Sequence, residues 1–376
     1  MSPRPLVLHD AFAFPGGGEL VAVTLARAFK ADLLTGRFDS AAFPDGYFAG
    51  RAPASLEARA RHPLAARLSL TLAMSLAFEG MPPVAAPLAL HSGSLTLLGH
   101  GRIHGPQLLY CHTPPRILYD HRDFYLARQP RHRRPLWRLL AGRYRRRYEA
   151  AARAMDAVVA NSETVRRRIR DFLGLESVVV HPPVDTAAYQ YKGQEPFYLS
   201  TARVDVLKRV DRVVAAFAAM PDKKLVVVSG GSELDRVRAM ARECPNIDIR
   251  GWTEAAELRR LIGTAIATIY IPRDEDFGIS PVESMAAGKP VIGVREGGLT
   301  ETVVHGQTGI LLPPDPTPED VARAVRALGP AEALAMREAC EQRAAAFDTT
   351  VFVDNMRKLA RDVMAGKRDA HQRKNG

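Results

Sequence analysis

Short apolar runs alternate with stretches of helical apolar spacing along most of the chain. In the first half, PLVLHDAF, QLLYCHTPPR and MDAVVANSE each end in a polar loop, and helical spacing follows in GELVAVTLARAF and ETVRRRIRDFLG. The third run predicts a strand over Ala157–Ala160 and a helix cap at Asn161 or Ser162. The second half repeats the pattern in FYLSTARV, KLVVVSGG, IDIRGW, IATIYIP, KPVIGV and GILLPP. Apolar strands that alternate with helices predict parallel sheets covered on both faces.

A proline-marked segment, SVVVHPPVDTAAY, separates the two series and is followed by polar residues up to Glu195, which is typical of a linker. The expected domains are residues 1–187 and 188–348, both of ordinary domain size. Two doubly wound α/β domains in tandem form a cleft, and the ligands of such sheets bind at the carboxyl ends of the strands. Ligand-binding and catalytic residues are therefore expected in the loops that follow the strands.

Composition places the chain among ordinary globular proteins, with 376 residues of which 47% are apolar. Three scattered cysteines, Cys111, Cys244 and Cys340, predict a reducing compartment without a disulfide framework or a structural zinc site. The N-terminus lacks the apolar core of a secretory signal, and no stretch reaches the roughly 20 apolar residues of a membrane span. A cytoplasmic location is therefore expected.

The net charge of +11 is concentrated in one segment. Residues 128–147 contain nine arginines and no acidic residue, so 11 − 9 leaves about +2 for the rest of the chain. The charge alone would suit a non-enzymatic nucleic-acid-binding protein. Such a protein would carry a recognition module, and the sequence contains none, so no nucleic-acid partner is expected.

The segment FGISPVESMAAGK predicts the start of a helix. Ser280 suits the cap, Pro281 the first helical position and Glu283 the third, which together form a capping box, and Gly288 would end the helix. The same helix start would also offer free backbone N–H groups to a diphosphate. Glu275, in the preceding loop, is too far away to cap the helix, which favours a ligand-binding role for it.

Two further loops follow strands of the second series. TARVDVLK places Arg203 and Lys208 where two cations could neutralise a leaving phosphate, although such residues in a loop are more often simply solvated. VVVSGGSE places Gly230 and Gly231 where a base or ribose could approach the backbone, although glycine pairs end many strands.

Taken in this order, the segments resemble the retaining glycosyltransferases of family 4, which have the GT-B fold of two Rossmann-like doubly wound domains facing each other across a cleft. ARVDVLK resembles the family's diphosphate-binding Arg and Lys, EDFGISPVE its paired glutamates and PGGGE its N-terminal glycine loop. YCHTPPR, VVANSETV and VVHPPVD resemble the bacterial subgroup that builds surface polysaccharides. The resemblance also implies that a C-terminal helix, about 349–365, packs back on the first domain.

The resemblance assigns roles to individual positions. Glu275 would bind hydroxyls of the donor sugar, Glu283 the nucleotide ribose, and His112 would lie near the donor sugar. Arg203, Lys208, Glu275 and His112 form the implied catalytic set. The implied nucleotide-sugar-binding set consists of Gly16, Gly17, Arg203, Lys208, Gly230, Gly231, Glu275, Phe277, Gly278, Ile279 and Glu283. His9 and Asp10 precede the glycine loop and are left unassigned.

The implied reaction moves a hexose from a GDP-sugar or UDP-sugar, with GDP-mannose favoured, to a hydroxyl of a glycan or polyprenyl-linked acceptor in polysaccharide or lipopolysaccharide synthesis. No Asp-x-Asp motif follows a strand, so no metal and no other cofactor is expected. A sugar-nucleotide epimerase with the same fold is the enzyme alternative, and the Arg–Lys pair with two glutamates favours transfer over epimerisation.

In the arginine-rich segment, aromatic and leucine residues interleave with the cations, which is typical of a segment that lies on an anionic bilayer. The expected membrane-docking residues are Arg131, Arg133, Arg134, Trp137 and Arg138. The alternative is a solvated basic helix that packs a few residues on the core. Docking would place the protein at the inner face of the cytoplasmic membrane, where the resemblance implies a lipid-linked acceptor.

Overall fold

The structure is a computed structural model that describes residues 3–48, 50–57 and 70–366. The chain divides into two compact units, one formed by residues up to Pro183 together with the segment from Phe352, and the other by Val184–Val351. The division falls after Pro183 rather than after residue 187. Val184 belongs to the second unit because its N–H donates to Phe347 O (3.1 Å) and its carbonyl accepts from Thr349 N (3.0 Å).

The first unit contains a parallel sheet with strand order β3-β2-β1-β5-β7-β8-β9, and the short strands β4 and β6 pair separately. Its strands are β1 (Leu6–Phe12), β2 (Asp32–Phe38), β3 (Ala54–Ser55), β4 (Val84–Ala85), β5 (Ala89–Ser92), β6 (Ile103–His104), β7 (Gln107–Cys111), β8 (Ala157–Ala160) and β9 (Val178–Val179). The described helices are α1 (Gly17–Phe29), α2 (Leu70–Glu79), α3 (Arg122–Ala127), α4 (Arg134–Arg153) and α5 (Glu163–Leu173).

The second unit contains a parallel sheet with strand order β12-β11-β10-β13-β14-β15. Its strands are β10 (Tyr198–Ser200), β11 (Leu225–Val228), β12 (Ile247–Gly251), β13 (Thr268–Ile269), β14 (Val291–Val294) and β15 (Gly309–Leu312). Its helices are α6 (Val210–Ala218), α7 (Leu234–Ala241), α8 (Ala255–Thr264), α9 (Ile279–Ala286), α10 (Leu299–Thr302), α11 (Pro318–Ala327), α12 (Pro330–Ala335) and α13 (Arg337–Ala345). The last described helix, α14 (Thr349–Met364), begins in this unit and continues into the first.

The strands form where the sequence predicts them, because their continuous apolar runs are buried on both faces of each sheet. β8 and β11 are buried at every position, as a parallel sheet between helix layers requires. Ser162 caps α5 by accepting a hydrogen bond from Val165 N (3.0 Å). On α14, Phe352 and Met356 are buried in the same core cluster as strands β1, β5 and β7 of the first unit.

Both sheets are doubly wound in the Rossmann order, so each has a point at which the direction of winding reverses. In the first sheet this point lies between β1 and β5, and in the second it lies between β10 and β13. Ligands of open parallel sheets bind beyond the carboxyl ends of the strands at such points. A ligand-binding site is therefore expected in the loops after β1, β5, β10 and β13.

Candidate active site

The loops after β10 and β13 bring together a lysine, a tyrosine and a glutamate. Lys208 Nζ donates to Glu275 Oε2 (2.5 Å) and to Tyr270 OH (3.0 Å), and Tyr270 OH donates to Glu275 Oε2 (3.1 Å). Tyr270 is buried, and the side chains of Lys208 and Glu275 are each 18% exposed. Lys208 and Glu275 therefore meet across the point where the second sheet reverses its winding.

Lys208 keeps its positive charge although its side chain is mostly buried. Burial alone would lower the pKa of Lys208, but the nearby Tyr270 and Glu275 outweigh it and raise that pKa above its ordinary value. The ammonium group is therefore charged at neutral pH and offers its hydrogen bonds from a fixed position. Such a group is suited to an oxyanion or a phosphate.

Backbone contacts fix the loops that carry this cluster. Asp205 accepts hydrogen bonds from Leu207 N (3.1 Å) and Lys208 N (3.2 Å), which closes a short turn ending at Lys208. On the Glu275 side, Gly297 has a φ of +60°, and a Cβ at this position would lie 2.3 Å from Glu275 O. The N–H of Gly298 donates to the same carbonyl oxygen (2.9 Å). The glycine pair after β14 therefore holds the backbone of Glu275.

A buried arginine, which the sequence reasoning missed, supports the same loop. The Arg209 guanidinium is almost fully buried, donates to Pro314 O (2.7 Å) and pairs with Glu296 (3.5 Å). Glu296 in turn accepts from Asp274 N (2.9 Å), the residue before Glu275. The sequence contained a signal in the adjacent cations of LKRVD, but nothing local distinguishes the buried arginine from the lysine before it.

The predicted capping box at α9 is wrong. The helix begins two residues earlier, with Gly278 (φ +89°) at the cap and no side-chain hydrogen bond there. Pro281 is then the third helical residue, which a first turn tolerates because its N–H groups have no partner within the helix. Glu283 lies further along and accepts a hydrogen bond from Tyr189 OH (2.7 Å). Burial raises the pKa of Glu283, and the Tyr189 hydrogen bond opposes this. As predicted, Gly288 follows the helix end with a φ of +67°.

The first turn of α9 follows Glu275 closely and presents its N–H groups at the same edge of the sheet. Phe277 is buried in the core, with its ring 5.5 Å from that of Phe347, so its side chain is not available to a ligand. Ile279 also packs partly against that core. The loop from Phe277 to Ile279 can therefore reach a ligand mainly through its backbone.

The remaining predicted residues of this unit lie apart from the lysine cluster. Arg203 is half-exposed and pairs with Asp205 (3.4 Å), not with Glu275. The space above Gly230 is filled by the Trp252 indole, since a Cβ there would lie 2.2 Å from Nε1. The space above Gly231 is filled by the backbone of Val204, at 2.2 Å from its carbonyl oxygen. The protein itself therefore occupies the Cβ side of both glycines, and the predicted approach of a base to their backbone stays a prediction.

In the first unit, the ends of β1, β5 and β7 bring two histidines to one serine. His9 Nδ1 donates to the carbonyl of Ser92, and Ser92 Oγ hydrogen-bonds His112 Nε2 (2.9 Å). The two imidazole rings lie edge to face with their centroids 6.4 Å apart. They line a cavity of about 420 Å³ together with Asp10, Gly18, Glu19 and Thr113, among others. His112 is thus at a strand-end cavity, while His9 was not assigned from the sequence.

These histidines are neutral at physiological pH. Burial lowers the pKa of His9 to about 4, against a smaller opposing effect of its hydrogen bond to Ser92. Burial, with a contribution from His9, lowers the pKa of His112 to about 3. A neutral His112 is suited to hydrogen-bonding a hydroxyl, whereas a base with so low a pKa would accept protons poorly near pH 7.

Asp10 organises the loop around these residues. Its carboxylate accepts from the backbone N–H groups of Ser94 (2.9 Å), Leu95 (2.9 Å) and Thr96 (3.0 Å). A Cβ on Gly93 would lie 2.4 Å from Asp10 Oδ1, so a glycine lets the loop close on the carboxylate. Asp10 is therefore fully engaged by backbone and acts as a support for the loop after β5.

The predicted glycine loop is mostly helix. Gly16 caps α1, and Gly17 and Gly18 form its first turn. Among the described residues, Gly18 lines the cavity, whereas Gly16 and Gly17 do not. A Cβ on Gly18 would be 3.4 Å from His9 and 3.8 Å from His112, which is ordinary contact.

Comparison with known proteins follows the division into two units. Residues 15–188 match the family described as Glycosyltransferase Family 4, and residues 184–347 match the family described as Glycosyl transferases group 1. The chain belongs to the family 4 glycosyltransferases. The solved structure of sucrose-phosphate synthase (tll1590) from Thermosynechococcus elongatus has a TM-score of 0.75 at 20% identity and covers 96% of this chain and 100% of that one. Anabaena Alr3699/HepE in complex with UDP and glucose has a TM-score of 0.71 at 17% identity, with 95% and 99% covered. These likenesses confirm the GT-B fold, with its two Rossmann-like domains.

Among curated relatives of this family 4 glycosyltransferase, alpha-1,3/1,6-mannosyltransferase ALG2 of Rhizomucor pusillus is 26% identical over 263 residues. The match covers 56% of this chain and 55% of the relative. The chain spans about half the length, or less, of the curated relatives it matches.

The arginine-rich segment of this glycosyltransferase forms a short turn at Arg131–Arg133 and then the long helix α4. Leu136 and Leu139 are exposed, whereas Trp137 is partly buried. Arg134 differs from the other predicted docking arginines because it is partly buried and donates to the carbonyls of Ala127 (3.0 Å) and Gln129 (3.1 Å). In the described part of the chain, no helix is both long and apolar enough to span a membrane.

Proposed function

We propose that this protein transfers a hexose from a nucleoside diphosphate sugar to an acceptor hydroxyl with retention of the anomeric configuration. The observation that carries the proposal is the Lys208–Tyr270–Glu275 cluster beside the first turn of α9. A charged ammonium group and a helix N-terminus at the winding-reversal point of a Rossmann sheet make a receptor for a diphosphate.

In this proposal Lys208 and the α9 N-terminus stabilise the negative charge that develops on the leaving diphosphate. The bond between the anomeric carbon and the phosphate oxygen breaks as the acceptor oxygen bonds to the same face of the sugar. The acceptor's proton passes to the leaving phosphate oxygen, so neither a protein nucleophile nor a metal ion is needed. His112, neutral at its hydrogen bond to Ser92 (2.9 Å), would orient a sugar hydroxyl instead of removing a proton.

The two glutamates take different parts. Glu275 would accept hydrogen bonds from hydroxyls of the donor sugar, because its second acceptor positions remain available beside Lys208. Glu283, fixed by Tyr189 (2.7 Å), would bind the ribose. Arg203, half-exposed in the same loop as Lys208, would turn toward the diphosphate when it binds.

GDP-mannose is the donor we favour, with a glycan or polyprenyl-linked sugar as acceptor in the synthesis of a surface polysaccharide or lipopolysaccharide. A mannosyltransferase among the relatives supports mannose as the sugar. The UDP and glucose bound to the Anabaena protein support a UDP-sugar as the alternative donor.

The test is an assay of a panel that includes GDP-mannose and UDP-glucose, with release of nucleoside diphosphate and formation of glycoside both measured in EDTA. We expect one nucleotide sugar to be consumed in an acceptor-dependent way, and NMR to show an axial or equatorial anomeric bond matching the donor's. Inverted product would contradict retention. Release of a free epimerised sugar without an acceptor would replace transfer by epimerisation.

We also propose that the exposed arginines beside Leu136 and Leu139 dock the protein on an anionic membrane. Each cation close to anionic lipid gains about 1 kcal/mol, and the exposed leucines would enter the interface. Arg134 is excluded from the test because it holds backbone carbonyls.

The test compares two triple variants of the same unit on vesicles of increasing phosphatidylserine content. Arg131, Arg133 and Arg138 are changed to Ser in one variant, and the exposed Arg166, Arg167 and Arg170 of α5 are changed to Ser in the control. We expect salt-sensitive binding that the first variant loses and the control keeps. Equal loss in both variants would indicate a general charge effect instead of docking through this segment.

A further inference from the structure

Trp252 is an exposed tryptophan at the carboxyl edge of the second sheet. It directly follows β12, and 73% of its surface is open to solvent. The pyrrole edge of the indole covers Gly230, with Nε1 at 2.2 Å and Cε2 at 2.7 Å from the place where a Cβ would stand. Because Gly230 has no side chain, the indole packs directly against its backbone, and most of the ring remains exposed. Most of a large aromatic ring is therefore open to a ligand at this edge of the sheet.

The turn that seats the indole is held in an uncommon conformation. Ser229 has a φ of +114°, which residues with a side chain rarely adopt, and its N–H donates to Gly251 O (2.6 Å). Gly230 O accepts from Val204 N (2.9 Å), next to Arg203. Backbone hydrogen bonds thus join the loops after β10, β11 and β12 to one another. They link the loop that carries Arg203 and Lys208 to the loop that carries Trp252.

The distance and direction suit one end of an extended ligand. β12 lies three strands from β13 in the sheet order, or roughly 14 Å at the usual strand spacing. The helix that follows Trp252, α8, shares a buried cluster with Ala287 at the end of α9, and Tyr189 packs against the same cluster. Tyr189 is the residue bonded to Glu283. The helix that begins shortly after Trp252 therefore packs on the same cluster as the tyrosine that holds the proposed ribose ligand.

We propose that the Trp252 indole is the surface on which the base of the nucleotide sugar stacks. The inference rests on the proposed function and deepens it, because it names the residue that recognises the base. Aromatic stacking tolerates any base, since each has a π-face, and a bicyclic indole is large enough for a purine. Gly230 would serve the ligand indirectly, because the absence of a Cβ lets the indole pack against its backbone.

The test uses the fact that the chain has two tryptophans, Trp137 and Trp252. In Trp137→Phe, Trp252 is the sole emitter, and GDP, UDP and inorganic diphosphate are titrated in turn. We expect GDP and UDP to quench and shift the emission, and inorganic diphosphate to bind without changing it. The matched control, Trp252→Phe, keeps Trp137 as the emitter and is expected to show no change with any of the three.

Affinity supplies a second readout that does not depend on fluorescence. By calorimetry, Trp252→Ala is expected to bind GDP and UDP about 5- to 140-fold more weakly, and Trp252→Phe to recover most of that loss. Affinity for inorganic diphosphate is expected to stay at the parent value in both variants. Because Trp252 is exposed, these changes leave the core intact.

Two results would overturn the inference and are distinguishable. If the parent binds GDP or UDP but Trp252→Ala binds them equally well and the emission of Trp252 is silent, the stacking role is wrong and the proposed function stands. If the parent binds neither nucleotide, the proposed function is wrong and the stacking role with it.

Discussion

The two winding-reversal points of this molecule share one topology but carry opposite chemistry. At β10 and β13 the polar groups are charged, with the Lys208 ammonium paired to Glu275 at 2.5 Å. At β1 and β5 the titratable rings are neutral, because burial lowers the pKa of His9 to about 4 and that of His112 to about 3. A charged receptor is suited to a diphosphate, and a neutral one to hydroxyl groups. The two points thus differ in the side chains they carry and not in the topology of the sheets.

The largest effect on activity is expected from Glu275→Gln, at the winding-reversal point between β10 and β13. The change leaves the Lys208 ammonium without its anionic partner and replaces one acceptor oxygen by an amide donor, so turnover should fall by about 10³-fold. Affinity for the nucleoside diphosphate should change far less than turnover, because Lys208 keeps its charge and the ligand contacts that are lost are to the sugar. Steady-state kinetics and calorimetry measure the two quantities. Glu243→Gln, an exposed acid of the same unit, is the control, and equal turnover in the two variants would remove Glu275 from the site.

The next effect concerns the glycine that holds this loop. Gly297→Ala places a Cβ 2.3 Å from Glu275 O at a φ of +60°, so we expect a loss of about 2 to 3 kcal/mol in the free energy of unfolding. The melting temperature of the second unit should fall by about 5 to 10 °C in calorimetry. An unchanged melting temperature would mean that the loop moves aside without strain.

At the winding-reversal point between β1 and β5, low pH should destabilise the folded protein because His112 is buried in its neutral form. Its folded pKa of about 3 lies below the ordinary 6.5, so below pH 6.5 the unfolded chain takes up a proton that the folded protein does not. The free energy of unfolding should therefore fall by about 1.4 kcal/mol per pH unit from this residue as pH drops from 6 to 4. Urea titrations should show that His112→Gln flattens the slope by this amount, whereas the exposed His132→Gln leaves it unchanged. A His112→Gln slope equal to the parent's would contradict the lowered pKa.

The smallest effect is expected from Gly18→Ala, the counterpart of Gly297→Ala in the first unit. Its Cβ would make only ordinary contact with His9 at 3.4 Å, and alanine favours the first turn of α1. Stability should stay constant or rise by up to about 1 kcal/mol, with activity near the parent's. A marked loss of activity with unchanged stability would show that the donor or acceptor needs the space above Gly18.

The sequence predicted the repeating elements well, because buried parallel strands leave continuous apolar runs such as Ala157–Ala160. It placed the start of α9 two residues late, since Pro281 is compatible with the first or the third helical position. The partners that fix the site were not predictable from local pattern. Tyr270, in a strand run, and Tyr189, after the linker, reach their glutamates only through the tertiary fold.

Two glycine pairs that follow strands, Gly230–Gly231 and Gly297–Gly298, are both in close contact with other parts of the protein. The Gly230–Gly231 pair was expected to admit a ligand, but Trp252 and Val204 fill the space above it. The Gly297–Gly298 pair also follows a strand, and it holds the Glu275 backbone instead of a ligand. A glycine pair after a strand thus predicts a close approach, and only the structure tells whether a ligand or the protein itself makes it.

The most direct measurement of the central claim is kcat/KM for sugar transfer in EDTA for the parent, Lys208→Met and Lys224→Met. Lys224 is an exposed lysine before β11, at the opposite edge of the same sheet. If the Lys208 ammonium stabilises the leaving diphosphate, the parent keeps its full rate in EDTA, Lys224→Met matches it, and Lys208→Met loses about 10²- to 10³-fold. Equal rates for the two lysine variants, or a parent that EDTA inactivates and Mg²⁺ restores, would contradict it.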